Sequence, residues 1–259
     1  MLCKGFPISN GMDNEKVLDK QGVEKPVMNV PETVLPIEPL TLHEVDEQIT
    51  KRVTRIDHEF KEGFEFLKYQ PKSVSIFGST RFTENNHHYE QARSLAGKFA
   101  KLGYTVVTGG GPGVMEAANR GAFENGGKSL GITIELPHAQ VKNPYLTDYE
   151  DFYYFFTRKV MLSFSAEAYI FFPGGYGTLD EFFEIITLVQ TNKIEPVPVI
   201  CMGTDYWNEL HNFIKTNIFE KHDSIEKADM DLYTITDDED LVIDIVKKVP
   251  IRDGVRCKY

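Results

Sequence analysis

Glu181 follows a glycine-rich turn, Pro173-Gly174-Gly175-Tyr176-Gly177-Thr178, which itself follows the apolar run Ala168–Phe172. A strand, a bare turn and a helix start suit an anion, because backbone N–H groups point outward and the helix N-terminus adds a favourable field. Gly174, Gly175 and Gly177 permit an exposed-amide turn and Thr178 adds a hydroxyl, so a phosphate fits there without a lysine. Glu184 lies three positions beyond Glu181 on roughly the same helix face, where two acids can raise one pKa or orient a water. Chemistry on a nucleotide or sugar phosphate is the functional reading. The structural alternative stays open: Thr178 and Glu181 also fit a helix capping box, and a glycine turn can serve only to reverse the chain.

A second glycine-rich stretch, VVTGGGPGVME, spans Val106–Glu116. Gly109, Gly110, Gly111 and Gly113 let the chain turn tightly and approach a ligand, and the helix after Pro112 would aim free N–H groups at it. The spacing does not match the dinucleotide fingerprint, and no GK[ST] follows as in a P-loop. Gly78-Ser79-Thr80-Arg81 ends a further strand, and ligands of doubly wound sheets sit beyond the strand C-termini, where such loops meet. Arg81 is either a phosphate ligand or a solvent-facing turn residue. Arg158 and Lys159 follow the aromatic run Phe152–Phe156 and each reads ordinarily as an outer-surface cation. A buried Arg158 would instead bridge an acid and a substrate through its planar donors.

The elements that must position these residues are legible. Residues 1–40, rich in Pro and polar residues, read as an arm or poorly ordered leader. Thr41 and Glu44 form a capping-box pattern, and Leu42, Val45, Ile49, Val53, Ile56, Phe60, Phe64 and Leu67 make one apolar stripe. That stripe predicts an amphipathic helix within 41–70, roughly 40 Å long and ended by Pro71. It either packs on the protein's own core or joins two subunits. A single catalytic domain follows over 71–259. Its strands are expected at Ser73–Phe77, Tyr104–Thr108, Leu130–Ile134, Ala168–Phe172, Val197–Cys201 and Leu232–Ile235, with Asp151–Phe156 either an edge strand or a helix lead-in. Helices are expected at His87–Leu102, from the GGGPG turn to about Asn125, at Thr178–Gln190, near Tyr206 and at Glu239–Val249. This alternation predicts an α/β, Rossmann-like, doubly wound and mostly parallel sheet with helices on both faces and an N-terminal helical extension.

At 259 residues the chain can bury one substantial core, and its net charge of −11 with no basic stripe argues against a nucleic-acid partner. Cys3, Cys201 and Cys257 have neither metal spacing nor an even count, so no metal and no disulfide framework is expected. No apolar run is long enough for a membrane span and no secretory signal is evident, so a cytoplasmic protein is expected.

Taken together, GGGPGVMEAANRGA at Gly109–Ala122, the Arg158-Lys159 pair and PGGYGTLDE at Pro173–Glu181 resemble the LOG family of nucleoside-monophosphate phosphoribohydrolases, long mislabelled lysine decarboxylases. The resemblance spans roughly Ser73–Val249, and the HAQVKNPY segment is similar to the family's longer bacterial branch. It implies hydrolysis of the bond between a purine-type base and ribose 5-monophosphate, with Arg158 and Glu181 catalytic. It further implies substrate contacts at Gly78, Ser79, Gly110, Gly111, Gly113, Met115, Gly174, Gly175, Gly177, Thr178 and Glu184, with no cofactor and a homodimer or higher homo-oligomer as the assembly. Two departures, Glu116 at the end of GGGPGVME and Asp180 before Glu181, leave the reaction class intact but not the identity of the base. Substitution at Gly174 is expected chiefly to impair phosphate recognition.

Overall fold

Alternate residues of a strand face opposite sides of a sheet, and here both sides are apolar. Val74, Ile76, Val106, Ile170 and Ile200 point to one side, whereas Phe77, Val107, Tyr169, Phe171, Val199 and Cys201 point to the other. Two separate cores result, and only a sheet covered on both faces can bury them. The computed structural model describes residues 41–70, 72–135 and 142–251, and the arm expected over 1–40 lies outside them.

Among the described residues, seven strands, all paired in parallel, run in the order β4-β3-β2-β1-β5-β6-β7. They are β1 (Ser73–Phe77), β2 (Thr105–Thr108), β3 (Ser129–Ile134), β4 (Asp148–Phe152), β5 (Tyr169–Phe171), β6 (Val199–Cys201) and β7 (Thr234–Ile235). Helices α2 (His87–Lys101), α3 (Val114–Glu124) and α7 (Glu239–Lys247) cover the first core. Helices α4 (Phe155–Phe164), α5 (Tyr176–Gln190) and α6 (Thr204–Phe213) cover the second. The chain builds outward from β1 to β4, then returns to place β5 against the other side of β1. The loops after β1 and β5 therefore diverge at the topological switch point, where such sheets bind ligands. The ambiguous segment Asp151–Phe156 resolves into both readings: β4 ends at Phe152 and α4 starts at Phe155.

The described residues divide between Asp46 and Glu47 into two units. In the first, Thr41 and Glu44 form the expected capping box: Thr41 N donates to Glu44 Oε2 (2.8 Å) and Glu44 N to Thr41 Oγ1 (3.3 Å). Helix α1 (Leu42–Leu67) buries two residues, Glu59 and Gly63. Gly63 meets Met161 and Phe152 so closely that a Cβ would lie 2.7 Å from Met161 Cγ. Glu59 accepts hydrogen bonds from Tyr153 N (3.2 Å), Tyr154 N (3.3 Å) and the Thr157 hydroxyl, which caps α4 from outside that helix. Ile56, Phe60, Phe64 and Leu67 are half-buried, while Ile49 and Val53 stay exposed. The stripe thus serves the core only along its C-terminal half.

Candidate active site

Three loops converge at the C-terminal ends of β1, β2 and β5, and the backbone of Ser79 stitches them together. Ser79 N donates to Pro173 O (3.0 Å), and Ser79 O accepts from Val114 N (2.9 Å). Close approach demands small residues at these crossings. A Cβ on Gly78 would enter the Val114 side chain at 2.7 Å, and one on Gly113, at φ +74°, would strike the Ser79–Thr80 backbone. Gly110, at φ +72°, lies against Thr133 and Leu146.

The GGG loop is held from below by a buried polar network. Thr108 Oγ1 donates to Asn119 Oδ1 (2.6 Å) and accepts from Gly110 N (2.9 Å). Asn143 donates through Nδ2 to Gly111 O (3.0 Å) and Asn119 Oδ1 (2.9 Å), and its backbone N–H reaches Gly110 O (2.9 Å). Asn119 and Asn143 escaped the sequence reading as positioning residues. The HAQVKNPY segment signalled family likeness, but only a tertiary contact shows that its asparagine carries the loop.

Side-chain acceptors at helix starts separate the helices after the GGG and PGG turns from most others, and at α3 the N-cap is Gly113, with no side chain to offer. Asn86 caps α2, Glu59 caps α4, Asp237 accepts from Gly203 N and Thr204 N at the start of α6, and Asp238 caps α7. At α5 the N-cap is Gly175, which has no side chain to offer. Among the described residues no acceptor meets the amides of Gly174, Gly175, Tyr176 or Gly177. Four consecutive backbone donors at a helix N-terminus are an arrangement that can take an anion. Glycine is explained differently along this turn. A Cβ on Gly174 would collide with Thr178 Oγ1 and sit 3.1 Å from Ser79 N, whereas at Gly175 and Gly177 it would meet nothing within 4 Å. Substitution at Gly174 therefore disturbs the fold as well as recognition, which corrects the expectation from sequence. Gly175 and Gly177 are the informative positions.

The alternative capping box between Thr178 and Glu181 does not form, because α5 begins two residues earlier than expected and Gly175 takes the cap position. Glu181 then falls one turn inside the helix, where it is buried. Its Oε2 has no hydrogen-bond partner, and Oε1 lies 3.3 Å from Lys159 Nζ. Burial raises the Glu181 pKa to about 7; Glu184 pushes it the same way, and Lys159 and Arg158 pull it back.

Neither cation of the Arg158-Lys159 pair is on the outer surface. Arg158 donates from Nε to Ile132 O (2.8 Å), and its guanidinium covers Gly109 beside Met115, whose Sδ would lie 2.8 Å from a Cβ there. Desolvation lowers the Arg158 pKa while Glu181 holds its charge in place. Lys159 contacts Asp180 Oδ2 (2.8 Å), Glu181 Oε1 (3.3 Å) and Glu184 Oε2 (2.6 Å). Burial opposes its charge, but these acids outweigh burial and raise its pKa. Asp180 and Glu184 flank Glu181 on α5, and the long lysine side chain reaches all three. Two neighbouring residues of α4 thus approach the Glu181 region from different directions, since adjacent helical positions diverge by about 100°. Arg81 is exposed, in keeping with its solvent-facing reading. Among the described residues no group of three His, Cys, Asp or Glu side chains is placed to hold a metal ion, and no helix is long and apolar enough to cross a membrane.

Comparison with known proteins follows the same residues. The model of the family described as "Possible lysine decarboxylase" matches residues 115–246. A cytokinin riboside 5'-monophosphate phosphoribohydrolase of Rhodococcoides fascians is 26% identical over 150 residues, 56% of this chain and 75% of its own. An Arabidopsis thaliana protein of that name is 28% identical over 159 residues, 60% of this chain and 73% of its own. Among solved structures, a structural-genomics X-ray structure has a TM-score of 0.52 at 23% identity, covering 69% of this chain and 99% of its own. The molybdenum cofactor carrier protein of Chlamydomonas reinhardtii has a TM-score of 0.51 at 22% identity, covering 68% and 96%. At such identities the structures speak for the fold alone. With more than half of its length matched, from Met115, just after the GGGPG turn, through the Arg158-Lys159 pair and the PGGYGT turn, the chain belongs to this family, the LOG family.

Proposed function

We propose that the protein hydrolyses the N-glycosidic bond of purine-type nucleoside 5'-monophosphates, AMP or N6-substituted AMP, to free base and ribose 5-phosphate. The observation that carries this reading is the pairing of four unsatisfied amides at the start of α5 with the buried acid Glu181 one turn later. The names of the relatives support the same reaction class. Phosphate held at Gly174–Gly177 fixes the position of the anomeric carbon and lowers the entropic cost of reaction. The bond from C1 to the base nitrogen breaks, its electron pair leaves with the base, and C1 acquires positive charge. Glu181 as carboxylate stabilises that charge and positions the water that adds to C1. The water proton ends on the departing base. Arg158 orients Glu181 and the nucleotide, because a guanidinium is a poor proton donor at neutral pH.

The test is a panel of AMP, GMP, CMP, UMP and N6-substituted AMP, with free base resolved from ribose 5-phosphate. Both products are expected from the purine substrates. Saturable binding with neither product would leave a nucleotide-binding protein and overturn the hydrolase.

For the assembly, we propose a homo-oligomer joined through α1. Ile49 and Val53 are more than half exposed, and Phe60 and Phe64 line a shallow hollow of about 390 Å³ farther along the same helix. Removing everything before Pro71 would also strip the Glu59 cap from α4, so point variants are the cleaner test. Light scattering should show the double variant Ile49→Glu, Val53→Glu falling to monomer mass. A monomeric parent protein, or an unchanged oligomer in the variant, would sink the proposal.

A further inference from the structure

Tyr206 lies outside all three loops, on the first turn of α6, yet its hydroxyl donates to Gly174 O at 2.9 Å. A trans peptide is planar, with its C=O and N–H pointing in opposite directions. Fixing the Gly174 carbonyl therefore fixes the direction of the Gly175 N–H, away from Tyr206. The peptide before it is fixed in the same manner, since Pro173 O accepts from Ser79 N and the Gly174 N–H must face the other way. Two consecutive amides of the anion turn are thus aimed by donors that touch only the backs of their peptide planes.

The anchor is itself built in. Gly203, at φ +101°, lets the start of α6 press on the turn: a Cβ there would lie 2.7 Å from Pro173 Cγ. Asp237 holds that start through Gly203 N (2.7 Å), Thr204 N (3.1 Å) and the Thr204 hydroxyl. The Tyr206 ring sets its edge against Trp207, with centroids 5.1 Å apart. Burial raises the pKa of the phenol above its ordinary value, which keeps the proton that makes it a donor.

We propose that Tyr206 is a positioning residue for phosphate, whose hydroxyl holds the Gly174–Gly175 peptide with its N–H toward the anion and so sets the preference for phosphorylated over unphosphorylated ligands. The inference rests on the phosphate reading of the turn. It is tested with the full chain and Tyr206→Phe, which keeps the ring and its contact with Trp207 and removes one oxygen. Calorimetry, with AMP titrated in the slow Glu181→Gln background so that it survives, should show affinity for AMP and ribose 5-phosphate falling by about 5- to 20-fold, the range for losing one hydrogen bond to a part-buried carbonyl. Affinity for adenosine should change by less than about 2-fold, and KM should rise with kcat nearly unchanged, because the hydroxyl touches neither the base nor C1.

Equal losses for AMP and adenosine would reveal a merely structural role and overturn the inference, as would unchanged AMP affinity. A parent protein that binds neither AMP nor ribose 5-phosphate would defeat the functional reading itself, a distinguishable result. Tyrosine labelled with 13C at Cζ gives a second measurement that needs no variant. The Tyr206 signal should move with the ribose 5-phosphate isotherm, and a signal indifferent to saturating ligand would also overturn the proposal.

Discussion

Glu181→Gln is expected to lower kcat by about 100-fold or more, within the range for a positioned acid or base, while making the protein more stable at pH 8. Both effects come from the same burial. In the folded protein the Glu181 pKa is raised to about 7 from an ordinary 4.5. A raised folded-state pKa means that the native protein holds this proton more tightly than the unfolded chain. Its stabilising effect is complete below pH 4.5 and is lost as pH rises through about 7. Across that window the carboxylate costs up to about 3 kcal/mol, which a neutral glutamine does not incur. Thermal unfolding of both proteins at pH 4 and pH 8 should therefore show a gain for the variant that grows with pH. Kinetics carry the same signature. If the carboxylate is the active form, kcat/KM of the parent rises through about pH 7. The substrate phosphate, ionising near pH ~6, affects both proteins alike, so the limb missing from Glu181→Gln belongs to Glu181. A variant that keeps full turnover would remove Glu181 from the mechanism.

Gly177→Ala is expected to move stability and activity in opposite directions. Gly177 sits in the first turn of α5, and a Cβ there would meet nothing within 4 Å. Alanine in place of glycine in a helix gains about 0.5–1 kcal/mol, or about 1–4 °C in Tm for a domain of this size. On the proposed phosphate reading, the added methyl enters the open space beside the free amides. kcat/KM for a nucleoside monophosphate should therefore fall by about 10- to 100-fold, a loss of about 1.4–2.7 kcal/mol in transition-state binding. The measurement pairs thermal unfolding with kinetics on the same preparation. Full activity in a stabilised Gly177→Ala would show that no ligand approaches this turn. The contrast with Gly174, where the protein's own Thr178 fills the space, makes the pair a local control. It is a site that trades stability for access.

Much of the fold was legible because it depends on periodicity and punctuation. The strand runs at Ser73–Phe77 and Val199–Cys201, the glycine turns after β2 and β5, and the Thr41–Glu44 cap are local features that a linear reading can find. The glycines and the acid of the candidate site were legible for the same reason. Lys159 was not, because an adjacent cation pair does not reveal which side of a helix faces three acids on another. Glu59 carries no sequence signal of its role, and only α4 packing beside it shows a cap supplied from about 95 residues away.

What the sequence by itself determined is the alternation of elements, the two glycine turns and the acid one turn beyond the second. The tertiary structure alone decided what those residues can do. It moved the start of α5 back to Gly175, so that Glu181 became a buried acid with a raised pKa instead of a capping residue. It also brought Ser79 and Tyr206 behind the peptide planes of the anion turn. The physical reason is range: helix propensity and turn chemistry act over a few residues, whereas desolvation and the direction of an amide are set by whatever distant chain packs against them.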